Sequence, residues 1–284
     1  MIDSISSIVP LRSVKRDGDQ VALYSANGGV LLDGRVYELS FTAAANVVTA
    51  DMTIGAGLGA LQQDQNAAGG LVTIAAGSGS GLFDGGSLGA LFEVRDGVVP
   101  EFDAEIDRYA EDLIDRFQSV TAGLDSSGDG LFVDAGGGGV GLAGRIALNA
   151  AVDPNAGGAV WRLRARLAAT GPGQEGDGTL LQALTDAMAA ERSPTGFVST
   201  SARSGAALLA SEIASFYAGR SARSDDDRAY LTASQSTLAE EEGDTLGVDS
   251  DAELQALMLV EQAYAANAKV LSVIDELMKL LLEG

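Results

Sequence analysis

Apolar and polar positions change period several times along the chain, and each change marks an element. Residues 20–41 hold short apolar runs separated by turn signals: Val21-Ala22-Leu23-Tyr24, then Asn27-Gly28-Gly29, then Val30-Leu31-Leu32, Asp33-Gly34, and a last run at residues 36–41. Asn-Gly and Asp-Gly supply the positive-φ positions of tight hairpins, so an antiparallel meander is predicted. Residues 42–86 are small and glycine-rich, with further strands expected at Val47-Val48 and Leu71-Val72-Thr73-Ile74.

A helical block is predicted from Ser87, interrupted at Gly97 and restarting at Pro100, since proline suits a first helical turn. Phe102, Ile106, Tyr109, Leu113, Phe117 and Val120 recur at spacings of three and four. Asp103, Glu105, Asp107, Glu111, Asp112 and Asp115 take the other faces, which predicts one buried apolar stripe. Residues 123–178 return to Gly and Asp turns around short predicted strands at Leu131-Phe132-Val133, Arg145-Ile146-Ala147-Leu148 and Trp161-Arg162-Leu163-Arg164. Helices are predicted over 179–192, 204–218, 225–242 and 250–282, with Asp225 and Ser250 as N-caps. The fold class expected is α+β, with antiparallel β regions interleaved with long amphipathic helices. Its segments are 1–85 (β-rich), 86–122 (helical), 123–178 (β-rich), 179–248 (helical) and 249–284 (a coiled-coil helix).

The last helix has a heptad pattern. Leu257, Tyr264, Leu271 and Met278 fall at a, and Val260, Asn267, Ile274 and Leu281 at d, over about 48 Å. Such a helix is marginal alone, so its stripe demands a partner. Asn267 at d would fix register rather than add stability. No second heptad stretch of matching length occurs in the sequence, which favours a partner on another subunit.

Composition then narrows the chemistry. The chain carries 18 basic against 40 acidic side chains, a net charge of −22, and neither histidine nor cysteine. Its only lysines are Lys15, Lys269 and Lys279, too few for phosphate recognition, so neither nucleic acid nor an anionic membrane is expected as a partner. Without cysteine there is no disulfide, thiolate nucleophile or zinc–sulfur site. Without histidine the usual general base and transition-metal ligand are missing. Met1-Ile2-Asp3-Ser4-Ile5 shows no charged n-region before an apolar run, so no cleaved leader is expected.

Three motifs imitate chemistry. Gly85-Gly86-Ser87-Leu88-Gly89 matches a nucleophile elbow, but a serine there needs an imidazole; the expected role is a glycine loop with Ser87 capping the next helix. Gly55-Ala56-Gly57-Leu58-Gly59-Ala60 follows a short apolar run like a dinucleotide fingerprint, yet Ala75-Ala76 stands where the ribose-binding acid should close the second strand. Asp125-Ser126-Ser127-Gly128-Asp129-Gly130 copies half of a calcium loop, with Gly136 where the closing glutamate belongs, so a turn is expected. Asp225-Asp226-Asp227 and Glu240-Glu241-Glu242 read as solvated helix ends. No catalytic residue, cofactor or metal site is expected, and the protein is not expected to be an enzyme.

Residues 247–254, Gly-Val-Asp-Ser-Asp-Ala-Glu-Leu, with Glu261-Gln262-Ala263-Tyr264-Ala265-Ala266-Asn267-Ala268-Lys269-Val270-Leu271 and Asp275-Glu276-Leu277-Met278, resemble the C-terminal signature of bacterial flagellar axial proteins. Residues 85–96, then Pro100, Ile106-Asp107-Arg108-Tyr109-Ala110, Gly123-Leu124-Asp125 and Leu131-Phe132, are similar to the middle of the hook-associated protein 1 family, the first hook–filament junction proteins. The family's long N-terminal helical region has no counterpart here. The resemblance implies a structural subunit of the flagellum, a ring between hook and filament built through terminal helices. The implied partners are copies of itself, the hook protein, the next hook-associated junction protein and an export chaperone on the C-terminal segment. It also implies leaderless export through the flagellar type III channel to an extracellular site. Another axial protein, hook or distal rod, is the alternative, and a secreted acidic calcium-binding module a more distant one.

Overall fold

The computed structural model describes residues 2–43, 51–54, 56–66, 70–74, 81–246 and 250–282. The fold is mixed α+β with antiparallel sheets and a C-terminal helix. Two compact units divide the chain, Met1–Tyr217 and Ala218–Gly284.

A short helix, α1 (Ile2–Ser6), leads into β1 (Leu11–Lys15), β2 (Val21–Ser25) and β3 (Val30–Leu32), an antiparallel sheet in that order. The first strand was not among those the apolar pattern predicts, because Leu11-Arg12-Ser13-Val14-Lys15 carries two charges and mostly faces solvent. At the predicted Asn27-Gly28 turn, Gly28 takes φ 89° and its N–H bonds the Ser25 carbonyl at 3.0 Å. The run at residues 36–41 does not complete the meander. Only β4 (Leu39–Phe41) forms from it, and it joins a second sheet. A small parallel pair, β5 (Thr53–Ile54) with β6 (Gly57–Leu58), comes next in the chain, and the second sheet has the order β4, β7 (Leu61–Asn66), β8 (Gly70–Ile74). Val47 and Val48 lie outside the described residues.

Helix α2 (Gly86–Glu93) runs through a widened turn at Val94–Val98 into α3 (Val99–Gln118). The predicted break at Gly97 is absent. Pro100 has no N–H to offer and its ring crowds the carbonyl four residues back; the chain responds by widening, with the Val99 N–H bonding the Val94 carbonyl five residues earlier. Val9, Leu61, Phe83 and Phe92 form one core against this helix, supported by Leu31, Leu39 and Leu88.

Beyond α3, β9 (Phe132–Asp134) and β10 (Ile146–Leu148) make a small antiparallel pair. Phe117, Leu180 and Leu184 form the second core, with Phe132 and Met188 packed on it. The strand predicted at residues 161–164 is instead a short helix, α4 (Arg162–Ala165), in which the Arg164 and Ala165 N–H groups both bond the Trp161 carbonyl at 3.0 Å. The alternation there does not correspond to a buried face: Leu167, beyond the run, is the residue that is buried.

Next come α5 (Thr179–Ala189), α6 (Ala206–Leu246) and α7 (Ser250–Leu282). The predicted helices at 204–218 and 225–242 are one. Asp225 caps nothing and lies in mid-helix, because residues 220–242 contain neither Gly nor Pro to end propagation. Both acidic triplets are therefore interior to α6 rather than helix ends.

Candidate assembly surface

Helix α7 collects every residue of the predicted seam. Leu257, Val260, Tyr264, Leu271, Ile274 and Met278 are all exposed, Tyr264 at 79% and Leu271 and Val260 at 67%. Asn267 is exposed as well, and the Leu281 side chain lies outside the described ones. Every described side chain from Asp251 to Asp275 is exposed. The helix is apolar beyond the seam, since Leu254, Met258, Leu259, Val270 and Val273 are also at least half exposed. Single exposed apolar residues are ordinary; here they recur along a helix of 33 residues.

In the Met1–Tyr217 unit a buried polar network fixes the root of α6, and the sequence pattern missed it. Glu105, placed by periodicity on an outer face of α3, is fully buried, and so is Arg116 of the same helix. Glu105 Oε1 accepts hydrogen bonds from the Val198 and Ser199 N–H groups at 2.8 and 2.7 Å, and Oε2 accepts from the Tyr217 hydroxyl at 2.8 Å. Burial opposes ionisation of this carboxyl; the contacts from the Ser199 side chain and N–H, Tyr217 and the Val198 N–H outweigh it and hold the pKa below the ordinary value. Arg116 donates to the carbonyls of Ala187, Ala190 and Ser204 at 3.1, 2.5 and 3.1 Å and pairs with Asp112 at 2.5 Å. Thus α3 holds the segment between α5 and α6 by its backbone, and Ala206, Leu209 and Ile213 of α6 are buried. A charged residue four positions from a stripe residue carried no signal of this, because the partner segment is irregular.

The chemistry-like motifs resolve into structure. Ser87 caps no helix: Gly85 is the N-cap of α2, with φ 95°, and Gly86 follows at φ 61°. A β-carbon on Gly86 would overlap the Ile8 carbonyl, and one on Gly85 would sit 2.8 Å from Pro10, so the glycines let the N-terminal segment lie on the helix start. Residues 56–60 lead into strand β7 rather than a helix, the reverse of a dinucleotide fingerprint; Gly55 lies outside the described residues. Asp125 holds a turn, its Oδ1 accepting from the Ser127 and Asp129 N–H groups at 2.8 and 3.0 Å and its Oδ2 from Asn149 at 2.9 Å. Burial disfavours its charge, but those hydrogen bonds, Asn149 first, lower its pKa. Among the described residues no group of three or more Asp or Glu is placed to hold a metal ion. No described helix is long and apolar enough to cross a membrane.

Residues 1–132 match the flagellar hook-associated protein FlgK helical domain, and residues 245–283 match the flagellar basal body rod FlgEFG protein C-terminal region. No curated protein and no solved structure matches the chain. The two matches are those of flagellar axial components, are consistent with hook-associated protein 1, and support a flagellar structural role in families that are not enzymes.

Proposed function

We propose that this chain, which carries segments of the flagellar axial families at both ends, is a subunit of the junction ring between hook and filament. The exposed seam of α7 supports this reading above all else: Leu257, Val260, Tyr264, Asn267, Leu271, Ile274, Met278 and Leu281 are the residues through which copies would associate. A helix with this much apolar surface and no cover finds its stability in a neighbour, as heptad helices do. In this reading the Met1–Tyr217 unit is the rigid body carried by each copy, and the hook protein and the next hook-associated protein lie on either side of the ring. The same uncovered helix suits an export chaperone before secretion through the flagellar channel, since a segment marginal on its own is readily held unfolded.

The test is assembly in flagellated cells. The pair Leu271→Asp and Ile274→Asp should abolish incorporation into the ring, because charge in a desolvated seam has no partner there. Normal filaments on such cells would refute the proposal. The C-terminal match, to a family named for rod proteins, supports hook or distal rod as the second reading. Immunogold labelling confined to the hook tip, rather than along the hook, separates the two.

A further inference from the structure

The densest basic stretch of this acidic protein makes no ion pair among the described residues. Residues 154–174 contain three arginines, Arg162, Arg164 and Arg166, and no Asp or Glu, in a chain of net charge −22. None of the three forms an ion pair with a described residue, whereas Arg16, Arg35, Arg95, Arg116, Arg145 and Arg192 all do. Among the described residues, the Nε atoms of Arg162 and Arg164 are buried without a hydrogen-bond partner, and Arg164 donates from Nη2 to the Pro172 carbonyl at 3.1 Å. Asp177, whose carboxyl feels the Arg164 charge, is occupied by the Thr179 hydroxyl and N–H at 2.7 and 3.0 Å. The chain's single tryptophan is here too, its ring 5.5 Å beneath the Arg162 guanidinium, and Val160 beside it is 58% exposed. A half-buried tryptophan with one arginine over its ring and further arginines without ion pairs beside it is the composition of an interface core rather than of ordinary surface.

The complementary surface exists in the same sequence. Residues 229–268 contain no Lys or Arg, and Glu240, Glu241, Glu242 and Asp244 crowd one exposed stretch of α6 beside Leu238, itself 62% exposed. Copies of so acidic a chain repel when brought together unless opposite charges meet at their contacts. We propose that the Trp161–arginine patch docks the Glu240–Asp244 stretch of a second copy, giving the assembly a lateral contact distinct from the α7 seam. It rests on the ring reading for its setting, but its chemistry is separate from the apolar seam.

The absence of cysteine gives a direct test in the full chain. One population carries Ala165→Cys and the other Gly243→Cys; they are mixed, oxidised and run without reductant. A covalent heterodimer is expected, favoured at low ionic strength and in excess over that formed when the first cysteine is instead at exposed Ser126. Arg162→Glu with Arg164→Glu should lower its yield about ten-fold, and Glu241→Arg with Glu242→Arg in the partner should restore it. Arg162→Gln with Arg164→Gln is the milder pair should the reversal disturb folding, and should still lower the yield. Yields equal to the Ser126 control, or indifferent to these charges, would overturn the proposal. Leu271→Asp with Ile274→Asp separates the two ideas: a charge-dependent heterodimer that survives it leaves this contact standing while the seam fails. Loss of cross-linking by the arginine variants alone, with ring assembly intact, supports the patch without touching the seam.

Discussion

The Tyr217 hydroxyl donates to Glu105 Oε2 at 2.8 Å across 112 residues of chain, tying the last residue of the first compact unit to the middle of α3. The tyrosine ring is itself edge-on to Phe102, with centroids 4.8 Å apart. Tyr217→Phe keeps that ring contact and removes only the donor to a buried carboxylate. The expected loss is about 1.5–3 kcal/mol, read as a lower urea midpoint with an unchanged slope.

The same carboxylate makes stability depend on acid. Its folded pKa lies below the ordinary value, so its contribution is complete above the usual carboxyl range and is lost as pH falls through the folded value. Asp134 acts with the same sign: the Arg145 guanidinium, then the Gly136 and Gly138 N–H groups, lower its pKa to about 2. Urea melts should therefore show stability declining below about pH 4. In Glu105→Gln the deficit relative to wild type should be largest near neutrality and shrink on acidification. A constant deficit at every pH would mean that the charge of Glu105 contributes nothing.

Arg116 carries the other half of the network. It satisfies the carbonyls of Ala187, Ala190 and Ser204 along with Asp112, and Asp112 also meets Arg192 at 3.7 Å. Arg116→Met leaves the Ala187 and Ala190 carbonyls without this donor and Asp112 with only Arg192, while the Ser204 carbonyl keeps the Arg192 N–H, and should cost about 3–5 kcal/mol. Arg116→Lys should recover little of it, since a compact ammonium cannot span acceptors set out for a planar fork. Thermal melts of the two variants check the order.

These residues show where the sequence was legible and where it was not. Local signals worked: the Asn27-Gly28 turn and the Asp125 turn follow from backbone preferences carried within a few residues. Periodicity located α3, yet its stripe residues Ile106, Tyr109 and Leu113 are only half-buried while Glu105 and Arg116 vanish from solvent. Besides the Tyr217 hydroxyl and Asp112, their partners are backbone groups at the end of α5 and in the irregular segment that follows, some 70 to 95 residues away, and irregular backbone leaves no side-chain pattern to read. The alternation at residues 161–164 misled for a related reason: arginines alternating with Trp161 and Leu163 on a short helix mimic a strand's outward face. The helix of α7 was legible because a heptad repeat needs no knowledge of the rest of the fold.

Gly86 is a position where the backbone rather than a side chain decides. It has φ 61° and lies under the Ile8 carbonyl, so Gly86→Ala meets both a disfavoured conformation and an occupied space. A loss of about 1–3 kcal/mol is expected. Hydrogen exchange should show the damage first at Leu88, whose N–H bonds the Ile8 carbonyl at 3.1 Å.

Limited proteolysis of the whole chain tests the division between a self-sufficient body and a helix in search of cover. Trypsin can cut at Arg116 or Arg145 only by opening buried or hydrogen-bonded structure, whereas Lys269 stands on a helix whose described neighbours are all exposed. Early cleavage at Lys269, and next at exposed Arg228 of α6, should leave a resistant fragment containing the Met1–Tyr217 unit. Raising the protein concentration should slow tail cleavage and raise helicity by circular dichroism, because association supplies the burial that α7 lacks alone. If the tail resists trypsin as well as the body at high dilution, α7 is already covered within its own chain, and an assembly built on that helix loses its physical ground.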